Sequence, residues 1–312
     1  KTGMARPGRT CGLIKGFEDV LQVLIIDTGA SVGDSNLRIP GLFDNLKVVA
    51  GPNSPVLHCP HAVFPGHNVN RYPAYAEEVV LPRSSLTRYP EQLTPQQASV
   101  HYLPSLVGWF GFVELAQLNP GETVLVTAAS RCWGPYIVQL GKALGAKVIA
   151  ATADAEDRDF LRELGADHII LTEEQDLVSR VLKLTDGRGA DIVMDALGGP
   201  QMCLLGDALA PRGRLVLYGL QGGNETPFPA CAAFQKNIQF FVHCIGNFTG
   251  KEELGIPQDE AAVAKALQGI NQLTRDGLLR PLINQVFPFD KVVEAQKLME
   301  TCPSRGRVVL QV

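Results

Sequence analysis

A chain of 312 residues, 46% hydrophobic and 19% charged, carries enough apolar material for a large core and exceeds the usual size of one domain. Its 28 basic and 32 acidic residues leave a formal net charge of −4 with no Lys/Arg block, which argues against nucleic acid or an anionic membrane as partner. No apolar stretch approaches a membrane span and KTGMARPGRT lacks the apolar centre of a signal peptide. Seven cysteines at 11, 59, 132, 203, 231, 244 and 302 form no C-x-x-C pair, so the expectation is a cytoplasmic protein with reduced thiols.

The segment before residue 95 is rich in Pro, Gly and short β-like pieces, such as 20–26 and 76–81, which predicts an irregular β-barrel domain. His58-Cys59-Pro60-His61 with His67 offers ligand types that suit zinc. Pro60 divides the group and its spacing matches no standard pattern, so a loop with surface histidines is the simpler reading and no metal is expected. In ASVHYLPSLVGWF, His101 is either an acid or base facing a cleft or a packed, hydrogen-bonded core residue.

Residues 122–167 then spell a βαβ unit. The apolar run 123–127 follows Pro120-Gly121, a helical stripe of Ile137, Val138, Leu140 and Leu144 runs over 135–145, and a second strand spans 147–152. Gly145 is placed to stop the helix. A helix starting directly after a strand aims its unpaired N–H groups above the turn, which makes that turn a pyrophosphate site. The turn is Ala128-Ala129-Ser130-Arg131-Cys132-Trp133-Gly134, so only the last glycine of G-x-G-x-x-G is present. Cys132, near a helix N-terminus and a cation, has the setting of a low-pKa thiolate, yet no base stands beside it and a buried structural thiol is the simpler reading.

Further strands are predicted at 167–171, 191–195 and 214–218, with helices at 175–185 and 201–210 between them. The alternation means a doubly wound parallel sheet, of α/β class. An apolar run at 238–245 supplies an edge strand, and apolar edges usually pair with something. An amphipathic helix at 259–276, then a helix and closing strand within 288–312, complete the chain.

The run VLVTAASRCWGPYIVQLGKALGAKVIAAT, with LRELGADHII, GRGADIVMDALGG, GRLVLYG and a closing FPFDKVVEAQKLME before GRVVL, resembles the medium-chain dehydrogenase/reductase superfamily. It is most similar to the zinc-free, quinone oxidoreductase-like (zeta-crystallin-like) branch, from about residue 75 to the end. The resemblance implies a Rossmann domain at 101–249 and a truncated GroES-like β-barrel domain built from 1–100 and 250–312. It further implies a small-molecule substrate in the cleft between them and a homodimer through the edge strand near 238–245. The implied activity is NAD(P)H-dependent, zinc-independent reduction of an activated C=C bond (enone or enoyl) or a quinone. Thr127, Ala128, Ala129, Ser130, Arg131 and Gly134 would hold the pyrophosphate, and Tyr218-Gly219 the nicotinamide end.

The chain also departs from that pattern. GASVGDSNLRIPGLFDN corresponds to G-x-N-x-x-D-x-x-x-R-x-G-x-Y, with Ser31 for the Asn and Phe43 for the Tyr, while Asp34 and Arg38 remain. Phe43 cannot donate a proton, so the catalytic candidates are Ser31, Asp34 and Tyr72, with Ser31 or Tyr72 as donor to the substrate oxygen. The block P-G-x-E-x-x-G-x-V that should follow is missing, and Leu106 stands where relatives commonly carry Thr. Arg131 either pairs with a phosphate or, with Trp133, fills the pyrophosphate space. Thr152 at the end of the second strand leaves room for a 2′-phosphate that Arg158 could meet, which points to NADP(H). Asp154, Glu156 and Asp157 crowd the same turn and keep NAD(H) open. The rival expectations are a cofactor-independent isomerase, lyase or cyclase and a non-catalytic binding module.

Overall fold

The computed structural model describes the backbone of residues 24–26, 31–32, 45–49, 61–65, 78–301 and 305–311, and the side chains of 61–65, 84–301 and 305–311. Six short strands come first: β1 (Leu24–Ile26), β2 (Ser31–Val32), β3 (Asn45–Val49), β4 (His61–Val63), β5 (Glu78–Pro82) and β6 (Leu86–Arg88). β3 lies between β2 and β5 and is antiparallel to both, while β4 pairs antiparallel with β6. β1 and β5 fall on the two β-like pieces expected at 20–26 and 76–81.

The central sheet has six parallel strands: β7 (Thr123–Val126), β8 (Lys147–Thr152), β9 (His168–Leu171), β10 (Ala190–Asp195), β11 (Leu209–Leu217) and β12 (Gln239–Val242). They lie in the order β12-β11-β10-β7-β8-β9. Alternate residues face opposite sides. Val124, Val126, Val148, Ile192 and Met194 share one core cluster with Ile137, Val138 and Leu140 of the helix Gly134–Ala143, while Leu125, Ile149, Val193 and Leu215 share a second with Val181, Met202 and Leu205. Such strands read as continuous apolar runs because both faces are covered, and each fully buried aliphatic side chain contributes roughly 1.5–3 kcal/mol. The helix Gly134–Ala143 opens with Pro135 in its first turn, where a missing N–H costs nothing, and is followed by Gly145 at φ +88°.

One expected element is corrected. The helix predicted over 201–210 spans Met202–Ala208, and Leu209 and Ala210 already belong to β11. Pro211 disfavours helix at the residue before it, and Arg212 adopts φ +60°. The irregularity appears as a register shift against β10 between Ala190 and Ile192.

After the helix Glu260–Arg275 come β13 (Ile283–Pro288), the helix Val292–Glu300 and β14 (Arg307–Gln311). β14 lies between β13 and β1, parallel to both, so the last strand pairs with the first. Among the described residues no helix is long and apolar enough to cross a membrane.

Candidate functional site

The sheet runs outward in both directions from β7, to β8 and β9 on one side and to β10, β11 and β12 on the other. The carboxyl ends of β7 and β10 therefore flank the topological switch point, where ligands of doubly wound folds bind. That crevice is braced from within. Thr127 just after β7 gives its hydroxyl proton to Asp195 Oδ1 at 2.5 Å and accepts the N–H of Ala196 at 3.1 Å. Asp195 also accepts the N–H groups of Gly198 at 2.9 Å and Leu197 at 3.3 Å. Burial lifts its carboxyl above the usual carboxylate range, against the pull of these donors.

The phosphate turn follows Thr127. Ala128 and Cys132 adopt φ +45° and +48°, the left-handed region where glycine is the unstrained residue. N–H groups of Ala129, Arg131 and Gly134 bond the carbonyls of Ala151, Ala128 and Arg131 at 2.9–3.0 Å. Gly134 could carry no side chain: a Cβ there would lie 2.4 Å from the Ala128 oxygen and 2.7 Å from the Ala129 oxygen. Gly219 is similarly confined, its Cβ position lying 2.6 Å from the Ala196 oxygen. Both glycines thus allow the close backbone approach that a dinucleotide turn and its neighbouring strand end require.

Ser130, Arg131 and Trp133 each engage a residue beyond the turn. The Ser130 and Thr152 hydroxyls lie 2.9 Å apart, and Arg131 places Nε and Nη2 3.0 and 2.7 Å from Asp154 Oδ2. The Trp133 ring stacks on Tyr218, with centroids 6.4 Å apart and planes at 19°. Beyond β8 opens a cleft of about 660 Å³ lined by Arg131, Asp154, Glu156, Asn284, Leu298 and Arg305, among others. Arg305 was not found from the sequence. Its backbone N–H donates to the Ser130 carbonyl (3.0 Å), its Nε to Asp157 Oδ1 (2.8 Å) and its Nη2 to the Glu156 carbonyl (2.8 Å).

Other expected residues are placed differently. Arg158 starts the helix Arg158–Glu163 with an exposed side chain and does not line the cleft, because the chain turns into that helix directly after Asp157. Thr152 is 3% exposed and is engaged by Ser130. His101 is wholly buried, its Nε2 2.7 Å from the Thr274 hydroxyl, and burial pushes its pKa down to about 3. It is the packed histidine rather than a cleft acid or base. Leu106 is also fully buried, and the Ser105 hydroxyl donates to the His101 carbonyl at 2.6 Å inside its own helix. Cys132 is half-buried. Ser31 is placed by its backbone in β2, opposite Val49, and its side chain lies outside the described residues, as do Asp34, Arg38, Phe43, Tyr72, His58, Cys59 and His67. Among the described residues no group of three His, Cys, Asp or Glu could hold a metal ion.

Comparison with known proteins agrees with this geometry. The family profile described as Zinc-binding dehydrogenase matches residues 134–264. Quinone oxidoreductase-like protein 2 homolog of Nematostella vectensis is 32% identical over 239 residues, covering 75% of this chain and 63% of its own length. Quinone oxidoreductase-like protein 2 of Mus musculus is 30% identical over 243 residues, covering 78% of this chain and 67% of its own. The crystal structure of the Pseudomonas syringae pv. Tomato DC3000 quinone oxidoreductase superposes with a TM-score of 0.66 at 26% identity, over 76% of this chain and 71% of that one. The alignments thus span about two thirds of the length of these curated relatives. With a switch-point crevice, a glycine-dependent phosphate turn and these relatives, the chain belongs to the medium-chain dehydrogenase/reductase superfamily, in its quinone oxidoreductase-like branch.

Proposed function

We propose that the chain is a zinc-independent oxidoreductase that uses a nicotinamide dinucleotide, preferentially NADPH, to reduce an electron-poor alkene or a quinone. The observation that carries this reading is the Gly134 cradle, closed to any Cβ by the Ala128 and Ala129 carbonyls at the start of a ten-residue helix. When bound, the dinucleotide supplies the hydride; the protein sets distance and polarity. The Ala128–Ser130 backbone and Gly134 would hold the pyrophosphate, and Thr127, Asp195 and Gly219 would fix the crevice beneath the nicotinamide. Arg131 and Arg305 line the cleft beyond β8, where the adenosine end would lie. Thr152 presents no carboxylate there, which supports NADPH, with the positive charge coming from these two arginines rather than Arg158. The polarising donor is assigned to Ser31 or Tyr72, with Asp34 kept as the third catalytic candidate.

Calorimetric titration with NADPH and NADH tests the reading. NADPH should bind at one site per chain and more tightly than NADH, and tighter NADH binding would overturn the cofactor preference. Elemental analysis should give well under one zinc per chain. A second reading, a cofactor-independent isomerase or lyase, is favoured by one observation: a bulky residue of the turn, Trp133, is stacked on Tyr218. Substrate turnover without any response to millimolar NADPH or NADH would decide for it.

A further inference from the structure

Arg305 lies two residues before β14, the middle strand of the three-stranded sheet β1-β14-β13, yet its partners Ser130, Glu156 and Asp157 follow β7 and β8 of the central sheet. Its backbone sits in the left-handed region at φ +68°, where an arginine is strained and a glycine is not. Strain of this kind persists only where the surroundings dictate it, and here they do. Gly306, at φ +133°, is seated so closely on the start of β13 that a Cβ would lie 2.8 Å from the Leu282 oxygen and 2.9 Å from the Asn284 nitrogen, and the Arg307 N–H donates to the Leu282 carbonyl at 2.9 Å. Leu282 donates its own N–H to the Tyr136 hydroxyl at 2.9 Å, and the Gln139 amide bonds both the N–H and the carbonyl of Arg280. Tyr136 and Gln139 belong to the helix Gly134–Ala143 that leaves the phosphate turn. The ties therefore close a ring, from the turn along its helix to the C-terminal segment and back through Arg305. The return contact falls in the middle of the turn: by accepting the Arg305 N–H, the Ser130 carbonyl fixes the plane of the Ser130–Arg131 peptide. The guanidinium bridges Asp157 Oδ1 and the Glu156 carbonyl. Asp157 is 2% exposed and its Oδ2 is buried without a partner, so the pair with Arg305 is what keeps this carboxylate inside.

We propose that Arg305 is a positioning residue for the phosphate turn, acting through Ser130 and Asp157 to couple the turn to the sheet β1-β14-β13, so that dinucleotide affinity depends on how that sheet is seated. The proposal rests on the cofactor reading above and deepens it, because the tie acts on any dinucleotide, with or without a 2′-phosphate, and is separate from the charge Arg305 brings to the cleft. Loss of the tie reaches the turn twice. The Ser130–Arg131 peptide is held less firmly, and an unpaired Asp157 turns towards water and takes with it the segment that carries Asp154, the partner of Arg131.

The test titrates wild type, Asp157→Ala, Asp157→Asn and Arg305→Gly with NADH and NADPH by calorimetry, and follows amide hydrogen exchange across residues 128–134 in the unliganded proteins. Asp157→Ala and Asp157→Asn change the charge equally, but only the alanine removes the acceptor for Arg305 Nε. Asp157→Ala should bind both dinucleotides about 3- to 10-fold more weakly and exchange faster across the turn, while Asp157→Asn should bind NADH within about 2-fold of wild type. Charge alone predicts the opposite sign, since removing an acid strengthens the binding of an anion, and does so alike in both variants. Unliganded Asp157→Ala should melt close to wild type, because it also removes an unsatisfied buried oxygen, so its weaker binding is not lost stability. Arg305→Gly keeps the N–H to Ser130 and suits the backbone, and should weaken NADH as Asp157→Ala does and NADPH further. NADH affinity unchanged in Asp157→Ala and Arg305→Gly, or changed equally in Asp157→Ala and Asp157→Asn, would overturn the proposal and leave the cofactor reading intact. If wild type binds neither dinucleotide, the cofactor reading fails first and takes the proposal with it.

Discussion

Replacing Gly134 with alanine puts the phosphate turn itself under strain. The new Cβ would lie 2.4 Å from the Ala128 oxygen, 2.7 Å from the Ala129 oxygen and 2.8 Å from the Ala129 carbonyl carbon, where ordinary contact begins at 3.4 Å. All three atoms are backbone, so no side chain can swing aside and the helix Gly134–Ala143 must withdraw by up to about 1 Å. Overpacking of this kind costs roughly 1–3 kcal/mol. At about 2–4 °C per kcal/mol for a domain of this size, the melting temperature should fall by about 2–12 °C. The same withdrawal moves the helix N–H groups away from the phosphates, and NADPH affinity should fall at least about tenfold. Gly141→Ala in the same helix is the control. Its Cβ would meet Phe112 Cζ at 3.3 Å and Val148 Cγ2 at 3.4 Å, a tight fit offset by a helix-propensity gain of up to about 1 kcal/mol, so stability and binding should stay near wild type. Thermal melting and calorimetry on the pair decide the matter: a Gly134→Ala protein that melts and binds NADPH like wild type would refute the assignment of this turn.

Asp154→Asn should change stability by less than about 1 kcal/mol, since both partners of its pair with Arg131 are 39% exposed, yet shift the NADPH-to-NADH affinity ratio about 3- to 10-fold towards NADPH. A shift towards NADH would contradict the placement of the 2′-phosphate beside Arg131. Burial lowers His101 to about 3 and His243 to about 4 from an ordinary 6.5, so each binds its proton more readily in the unfolded chain. Their stabilising contribution is complete above about pH 6.5 and is lost as pH falls towards 3–4, costing roughly 2 kcal/mol per histidine by pH 5. Urea unfolding at pH 7.5 and pH 5 measures it, and His243→Gln should flatten the loss. We propose that β12, at the edge of the sheet with Val242 66% exposed, is where two copies pair. Val242→Lys should then turn a dimer into a monomer in sedimentation velocity, and a monomeric wild type would contradict the proposal.

The sheet is legible in the chain because strands buried on both faces must be apolar throughout, and β7, β8 and β10 announce themselves as short β-branched runs ended by turn residues. β12 is legible as the last apolar run of the alternation, and at the edge of the sheet it is only half covered. The site is legible only where its chemistry is local: Gly134 is one residue with one steric duty, and a fingerprint can mark it. Arg305 is not, because it lies 148 residues from Asp157, and only the parallel pairing of β14 between β13 and β1 accompanies it to the turn. Arg158 shows the converse, being close to Thr152 in sequence while its side chain is exposed at the start of the helix Arg158–Glu163. Residue type alone also left Arg131 and Trp133 undecided between ligand and obstruction. Small residues in such a turn give access but leave the loop held by backbone alone. Here Ser130 is tied to Thr152, the Ser130 carbonyl to Arg305, Arg131 to Asp154 and Trp133 to Tyr218. Cross-bracing stands where the glycines are missing and holds the loop in one arrangement, which, on the proposed function, would lower the entropy lost when a dinucleotide binds.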